Sequence, residues 1–293
     1  GVIIDTIGSP GSINKLADNL LDSVAGKAGA DKIPTLAGVY AETAYILDKQ
    51  DALISFDNYF TQKELDAYIP GFLNEGRFNA NNDLLLFPLL KSTELFTANE
   101  TDWKPFADAT GITIESLKTK EDLTAAAAKY YEWTDSLTPD VKEDGKALYG
   151  RDSIANYIYA GCYQLGQAIF DVKNGVVNMN FNRKAWKTLW DNYYIPFING
   201  YFGAYGKYRS DDAKIGKILA LTGSSSSVSF LPAEVTLEGD VKHSISMSVS
   251  KDLLFKDAMI DTVVQQGGQL LSFENFRSSA GRCCRVLKMV HRK

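Results

Sequence analysis

The sequence predicts an α/β protein built from two lobes. Its 293 residues exceed what one hydrophobic core commonly holds, since domains usually contain about 100 to 200 residues. Strand-like and helix-like patterns alternate over residues 1–90, which is typical of an α/β sheet. Hydrophobic residues make up 45% and charged residues 23% of the chain, so the composition excludes collagen, coiled coil and global disorder.

The first lobe begins with a strand, a turn and a helix. Val2–Ile4 is a short apolar run, and Ser12 is a good N-cap for apolar residues that recur at helical spacing up to Val24. A second helix is predicted over 41–49, and a Thr61–Glu64 capping box predicts a third. A strand over 83–90 follows.

Longer helices are predicted after Glu94, over 119–135, 152–170 and 182–199, and a Thr-x-x-Asp cap at Thr119–Asp122 begins the first of them. The pair Asn174-Gly175, between two apolar runs, predicts a tight hairpin turn. A helix over 211–217 and a strand over 218–222 precede the polar loop Gly223–Ser227. We interpret this loop as lining a site, because it is too regular for an interdomain linker.

Several functional classes lack support in the sequence. The net charge of -5 and pI near 5.2 argue against nucleic-acid binding. No nucleophile motif of the G-x-S-x-G type occurs, nor does H-E-x-x-H, C-x-x-C or a calcium loop. With 36 acidic residues, some carboxylate pair always suits a glycoside hydrolase, so that alternative has little weight. We therefore expect no catalytic residue, no metal ligand, no cofactor and no enzymatic activity.

Five short segments, taken together, indicate a known family. They are Thr6–Ser12, Tyr45–Gln50, Leu84–Glu94, Leu189–Tyr194 and Thr222–Ser226. In these segments the chain resembles the family 1 extracellular solute-binding proteins of bacterial ABC importers. That family includes maltodextrin-binding receptors and many Gram-positive lipoproteins, and the resemblance covers residues 2–268.

The resemblance implies a type II periplasmic-binding-protein fold, in which two lobes are joined by extended hinge segments near 92–97 and 246–251. The expected division is 1–93 and 247–272 in the first lobe and 94–246 in the second. It also implies an extracellular, lipid-anchored, monomeric receptor that captures a small polar solute, a carbohydrate, by lobe closure and delivers it to permease subunits. A ligand-sensing or adhesin ectodomain on the same fold stays open as an alternative.

Sugar recognition needs planar polar groups and an aromatic face, and the resemblance indicates where they lie. In the first lobe, the candidate solute contacts lie in a loop after a strand, and they are Tyr40, Glu42 and Thr43. The alternative is that this segment is only the solvated start of a helix. Glu94 is placed at the hinge, where an ion pair with a nearby lysine is the alternative.

The other candidates lie in the second lobe. Arg151, Asp152 and Asn156 stand where a helix begins, and there Asp152 could serve as an N-cap instead. The loop formed by Gly223, Ser224, Ser225 and Ser226 offers hydroxyl and N–H donors to a solute. The alternative is that it is a surface turn without a binding role. Tyr205 is the aromatic candidate, whereas helical spacing predicts core packing for Trp186, Trp190 and Phe197.

Residues 273–293 are predicted to be an aberrant basic tail, since no acidic residue follows Glu274. Codons can be chosen for them that, read one base later, encode the acid-capped helix Leu-Lys-Thr-Ser-Glu-Val-Gln-Arg-Asp-Ala-Ala-Val-Glu-Phe-Leu-Lys-Trp-Phe-Thr-Glu. We therefore expect a frameshift near Leu271 or Ser272, with a disordered basic tail as the alternative. On this hypothesis Cys283 and Cys284 have no function, and the chain is truncated at both ends relative to the family.

Overall fold

A computed structural model describes residues 7–8, 12–262, 265–273, 284 and 287–288, so the predicted strand Val2–Ile4 lies outside the described residues. Two compact units are formed. Unit 1 contains 1–91, 172–178 and 266–293, and unit 2 contains 92–171 and 179–265. No helix in the described part of the chain is long and apolar enough to cross a membrane.

The helices are α1 (Ile13–Val24), α2 (Ala41–Asp48), α3 (Gln62–Leu65), α4 (Pro70–Asn74), α5 (Glu100–Thr110), α6 (Lys120–Ser136), α7 (Ile154–Gln164), α8 (Arg183–Leu189), α9 (Ile195–Ile198) and α10 (Arg209–Lys214). The strands are β1 (Leu36–Val39), β2 (Phe87–Pro88), β3 (Ser92–Asn99), β4 (Tyr149–Arg151), β5 (Phe170–Lys173), β6 (Val176–Met179), β7 (Ala220–Ser224), β8 (Glu234–Thr236), β9 (Lys242–Ser244), β10 (Met247–Lys251), β11 (Gln265–Gln266) and β12 (Gln269–Ser272).

Unit 1 is built on an antiparallel sheet of order β1-β12-β2. The Ser12 hydroxyl caps α1 by accepting from the amide of Lys15, as predicted, and the Thr61–Glu64 capping box begins α3. The predicted strand over 83–90 is reduced to β2. The amides just before β2 do not bond to a neighbouring strand. Leu84 N donates to the Asp57 carboxylate over 2.9 Å, and Leu85 N donates to Gly76 O over 2.9 Å.

A buried hydrophobic cluster of unit 1 includes residues from the predicted tail. Cys284 and Leu287 are 2% and 4% exposed and pack in a cluster with Phe56, Phe60 and Phe87. Lys288 Nζ lies 2.8 Å from Glu64 Oε2. These three tail residues are therefore packed or ion-paired. The rest of 274–293 lies outside the described residues, and the frameshift stays a prediction.

Unit 2 contains a sheet in which β10, β3, β7 and β4 are neighbours in that order. β3 runs antiparallel to β10 and β7, whereas β7 runs parallel to β4. One face of the sheet packs on α5 and α6 through a buried cluster that includes Phe96, Trp103, Phe106, Tyr130 and Tyr149. α6 begins with the predicted capping box, in which Thr119 and Asp122 bond reciprocally.

Two further predictions fare differently. The hairpin is confirmed: Asn174 and Gly175 have φ of 50° and 74°, and they join β5 to β6. The helix expected over 152–170 is shorter, because α7 begins after the N-cap Ser153 and ends at Gln164. Asp152 is therefore not the N-cap.

The two compact units begin and end at other residues than the predicted lobes, and the division into lobes stays a prediction. Residues 247–265 belong to unit 2, because β10 pairs with β3 along its whole length, from Met247 opposite Asn99 to Lys251 opposite Leu95. The two segments predicted as hinges are thus neighbouring strands of one sheet.

Candidate functional site

The alternation of side chains along β4 separates the predicted site residues of unit 2 into two groups. Successive strand residues face opposite sides of a sheet. Tyr149 and Arg151 face the α5–α6 side, where both are buried. Gly150 and the residue that follows the strand, Asp152, face the loop 203–209 on the other side.

On the first side, five polar residues form what we call the charge cluster: Glu94, Lys120, Arg151, Asn156 and Asp252. Arg151 donates to Glu94 and, over 3.0 Å, to Asp252 Oδ2. Lys120 Nζ donates to the same Asp252 oxygen over 3.1 Å, and Asn156 Nδ2 donates to Glu94 Oε1 over 2.9 Å. Each of the five is at most 7% exposed.

The charges in the cluster are balanced, since two carboxylates face two cations. Burial alone would raise the pKa of Asp252, but the positive charges of Lys120 and Arg151 lower it to about 2. Thr222 Oγ1 donates to the other oxygen of Asp252 over 3.1 Å. The charge cluster is therefore a satisfied internal network, which leaves Glu94, Arg151 and Asn156 little capacity for a solute.

A cavity of about 10 Å³ adjoins the charge cluster, lined by residues that include Tyr149, Tyr157 and Tyr193. This volume suffices for about one water molecule. Burial raises the pKa of Tyr193 to about 12, so its phenol is neutral and can donate a hydrogen bond. A carbohydrate does not fit into this space.

On the other side, Asp152 lies at the carboxyl ends of β4 and β7. Its Oδ1 accepts from the backbone N–H of Arg209 over 2.8 Å, and its own N–H donates to Thr222 O over 3.0 Å. Its side chain is 24% exposed. A Cβ on Gly223 would approach Asp152 Oδ2 to 2.6 Å, so the carboxylate occupies the space that this glycine leaves.

The serine segment continues the same edge of the sheet. Ser224 ends β7, and Ser225–Phe230 form a 3₁₀ helix where a loop was expected. Ser225 Oγ accepts from Thr93 N over 3.1 Å, and the hydroxyls of Ser224 and Ser226 lie 2.8 Å apart. Glu94 is the register partner of Ser224. The structure thus brings the serines together with Glu94 and Asp152 at one end of the sheet.

The first-lobe candidates lie in unit 1, at the start of α2. Tyr40 is the N-cap residue but makes no capping bond with its side chain. Glu42 is exposed in the first turn, and Thr43 is buried at 5% exposure. Their role in binding stays a prediction.

The aromatic candidates are arranged only partly as expected. Tyr205 is 56% exposed, which suits a surface for a ring. The prediction of core packing was wrong for Trp190 and Phe197, which are 52% and 41% exposed. Trp186, in contrast, is partly buried against a hydrophobic core. A π-helical stretch, Trp190–Tyr194, follows Leu189 and changes the helical period on which that expectation rested.

Sequence reasoning missed four polar residues that organise this end of unit 2. They are Lys120, Asp252, Arg209 and Asp212, which are between 1% and 7% exposed. Lys120 lies 132 residues from Asp252 in the chain. The only local signal was the acidic pair Asp211-Asp212 two residues after Arg209, which equally suits the first turn of a helix.

No protein-family model matches the chain, and no curated protein matches its sequence. Solved structures do match. UgpB from Mycobacterium tuberculosis, in complex with glycerophosphocholine, superposes with a TM-score of 0.69 at 14% identity, covering 92% of this chain and 64% of that one. The GacH receptor of Streptomyces glaucescens GLA.O, whose structures are unliganded and in complex with acarbose and an acarbose homolog, gives 0.63 at 13% identity, covering 92% and 63%.

These similarities show the fold, which is the type II periplasmic-binding-protein fold that the sequence predicted. The chain spans slightly less than two thirds of the length of either neighbour.

Proposed function

We propose that the chain is a solute-binding receptor of an ABC importer that captures a small polar solute, a carbohydrate, and catalyses no reaction. The observation that carries this proposal is the structural similarity over 92% of the chain to UgpB and GacH, both solved with small polar molecules bound. The resemblance of the five sequence segments, taken together, to family 1 extracellular solute-binding proteins supports the import role.

We place one part of the binding surface at the exposed polar edge of unit 2. Ligands of α/β sheets commonly bind beyond the carboxyl ends of the strands, and β4 and β7 both end there. Asp152 and Ser224–Ser226 supply an acceptor and several hydroxyls at this edge. Glu94, Arg151 and Asn156 support the edge from within, since their charges and amide are already bonded.

The partners and location follow from the same proposal. The receptor delivers its solute to permease subunits, works as a monomer outside the cell, and is anchored to the membrane as a lipoprotein. Tyr40, Glu42 and Thr43 of unit 1 are proposed to contact the solute as well. A neighbouring pair of permease genes would support import, whereas a fused kinase would support the sensing alternative.

A thermal-shift screen tests the receptor function. The panel contains glucose, maltose, maltotriose, acarbose and glycerophosphocholine, with sodium chloride as a control. A solute at about 100 times its dissociation constant stabilises the folded state by about 2.7 kcal/mol. We expect a saturable rise in Tm for one or more sugars, and no rise for any member would contradict the proposal.

The same samples separate a receptor from a glycoside hydrolase. We expect maltotriose to be recovered intact after prolonged incubation with the protein, measured by chromatography of the sugar. Release of glucose or maltose by the wild-type chain would support hydrolysis instead. No carboxylate pair in the charge cluster is available for it, since both members are ion-paired.

A further inference from the structure

A loop packed against β4 determines where Asp152 can lie. The segment 203–212 is a loop followed by the first turn of α10, and it contains the buried Arg209. Arg209 donates to Gly203 O over 3.3 Å and to Gly206 O over 2.5 Å. It also pairs with Asp212, whose carboxylate is 3.0 Å away and 1% exposed. Asp212 in turn accepts from the amides of Tyr205 and Gly206. Arg209 and Asp212 together therefore hold the loop closed.

This closed loop approaches β4 unusually closely. A Cβ on Gly150 would lie 2.5 Å from Gly203 O and 2.7 Å from the Cδ of Arg209. A Cβ on Gly203 would lie 2.6 Å from the ring of Tyr205. Only glycines allow this approach, which brings the backbone N–H of Arg209 within bonding distance of Asp152.

The Asp152 carboxylate is left with unused bonding capacity. Its Oδ1 accepts the Arg209 amide, while its Oδ2 faces Gly223 and accepts no hydrogen bond from the described residues. The Nε–H of Arg209 has no acceptor in the described part of the chain, although it is buried and lies 3.9 Å from Asp152 Oδ1. A carboxylate with one oxygen bonded and the other without a donor, on a side chain that is 24% exposed, suits a hydroxyl donor.

We infer that Arg209, paired with Asp212, is a positioning residue that fixes Asp152 beside Gly223 as the acceptor for a solute hydroxyl. This inference rests on the proposed function, and it deepens that function by naming the residues that build the subsite. Arg209 does not touch the solute. Gly223 serves by having no side chain, which leaves room for the carboxylate.

Gly223→Ala tests the inference without disturbing the ion pair. The φ of Gly223 is one that alanine adopts, so only the new methyl group acts, and it displaces Asp152 Oδ2. We expect binding of the sugar that gives the largest thermal shift to weaken about 10- to 100-fold, the worth of one hydrogen bond to a charged group. Gly71→Ala is the matched control, because a Cβ there meets nothing within 4 Å.

A double-mutant cycle separates positioning from general damage. Asp152→Ala should weaken binding by a similar factor, and Gly223→Ala should add nothing in the Asp152→Ala background. Arg209→Lys keeps the positive charge beside Asp212 but loses the guanidinium fork that bonds two carbonyl groups. It should therefore weaken binding when introduced into the wild-type protein, and should have no further effect when Asp152→Ala is already present. Isothermal titration calorimetry measures each affinity, and thermal melts without solute confirm that each variant folds.

The outcomes are distinguishable. If the wild-type protein binds a sugar and Gly223→Ala does not weaken that binding, the positioning role is overturned while the receptor function stands. The same conclusion follows if Gly223→Ala weakens binding as strongly in the Asp152→Ala background as in the wild-type background. A wild-type chain that binds no sugar of the panel overturns the receptor function and this inference with it. Loss in both single variants without further loss in the double variant supports the inference.

Discussion

Neutralising Asp252 should destabilise unit 2 strongly. Asp252→Asn leaves Lys120 and Arg151 facing Glu94 alone, at sites where all side chains are at most 8% exposed. Removing one partner of a buried ion pair typically lowers the free energy of unfolding by about 3–5 kcal/mol. The matched control is Asp108→Asn, whose pair with Lys104 is 63–72% exposed, and such pairs contribute less than about 0.5 kcal/mol.

The pH dependence should change in the same variant. The pKa of Asp252 is lowered from 3.8 to about 2, so its contribution is fully present above the unfolded pKa and is lost as the pH falls through about 2. At about 1.4 kcal/mol per pKa unit, this shift stabilises the wild type by about 2–3 kcal/mol at neutral pH. Asp252→Asn should therefore show a flatter loss of stability between about pH 4 and 2 than the wild type.

Urea titrations followed by tryptophan fluorescence measure both effects. The four tryptophans of the chain all lie in unit 2, so the signal follows that unit: Trp103, Trp133, Trp186 and Trp190. A second substitution, Lys120→Met, removes the unmatched cation, and a methionine suits the nearby rings of Tyr157 and Phe255. The double variant should be more stable than the sum of the two single losses predicts, by about 2 kcal/mol.

Two results would refute this reasoning. A loss for Asp252→Asn no larger than that for Asp108→Asn would mean that the buried charges are not coupled. Strict additivity of Asp252→Asn and Lys120→Met would mean that the two side chains contribute separately.

Two further predictions concern stability. Thr119→Ala breaks the capping box of α6 and should lower the free energy of unfolding by about 1 kcal/mol in the same fluorescence assay, and an unchanged midpoint would contradict the cap. Leu287→Ala should lower the stability of unit 1 by about 2–5 kcal/mol by circular dichroism, because Leu287 is 4% exposed, whereas Leu90→Ala, at 71% exposure, should have little effect. Equal effects for these two leucines would contradict the packing of Leu287.

The elements that the sequence predicted well have their causes within a few residues. The caps at Ser12, Thr61 and Thr119 bond to amides three residues ahead, and the Asn174-Gly175 turn depends on two positive φ values. A short stretch of sequence is therefore enough to predict these interactions. The predicted strand over 83–90 failed because the Asp57 carboxylate, 27 residues away, takes an amide that a strand would have used.

The charge cluster was predictable only in part. Glu94, Arg151 and Asn156 were each proposed as solute contacts, and the structure does bring them together. The sequence could not predict that Asp252 pairs with Arg151, because the two residues lie 101 positions apart in the chain. Without that partner, a buried arginine and glutamate resemble a binding pair; with it, they form a closed network that supports the sheet.

Sequence adjacency grouped Arg151 with Asp152, but strand geometry divides them. Because side chains alternate along β4, Arg151 enters the charge cluster and Asp152 emerges beside Gly223. The two charges therefore act separately, since the buried cluster holds β3, β4 and β7 together while the exposed carboxylate can still bind on one oxygen. A substitution in the cluster should therefore change stability first, and one at Asp152 or Gly223 should change affinity first, which is the contrast that the two sets of variants measure.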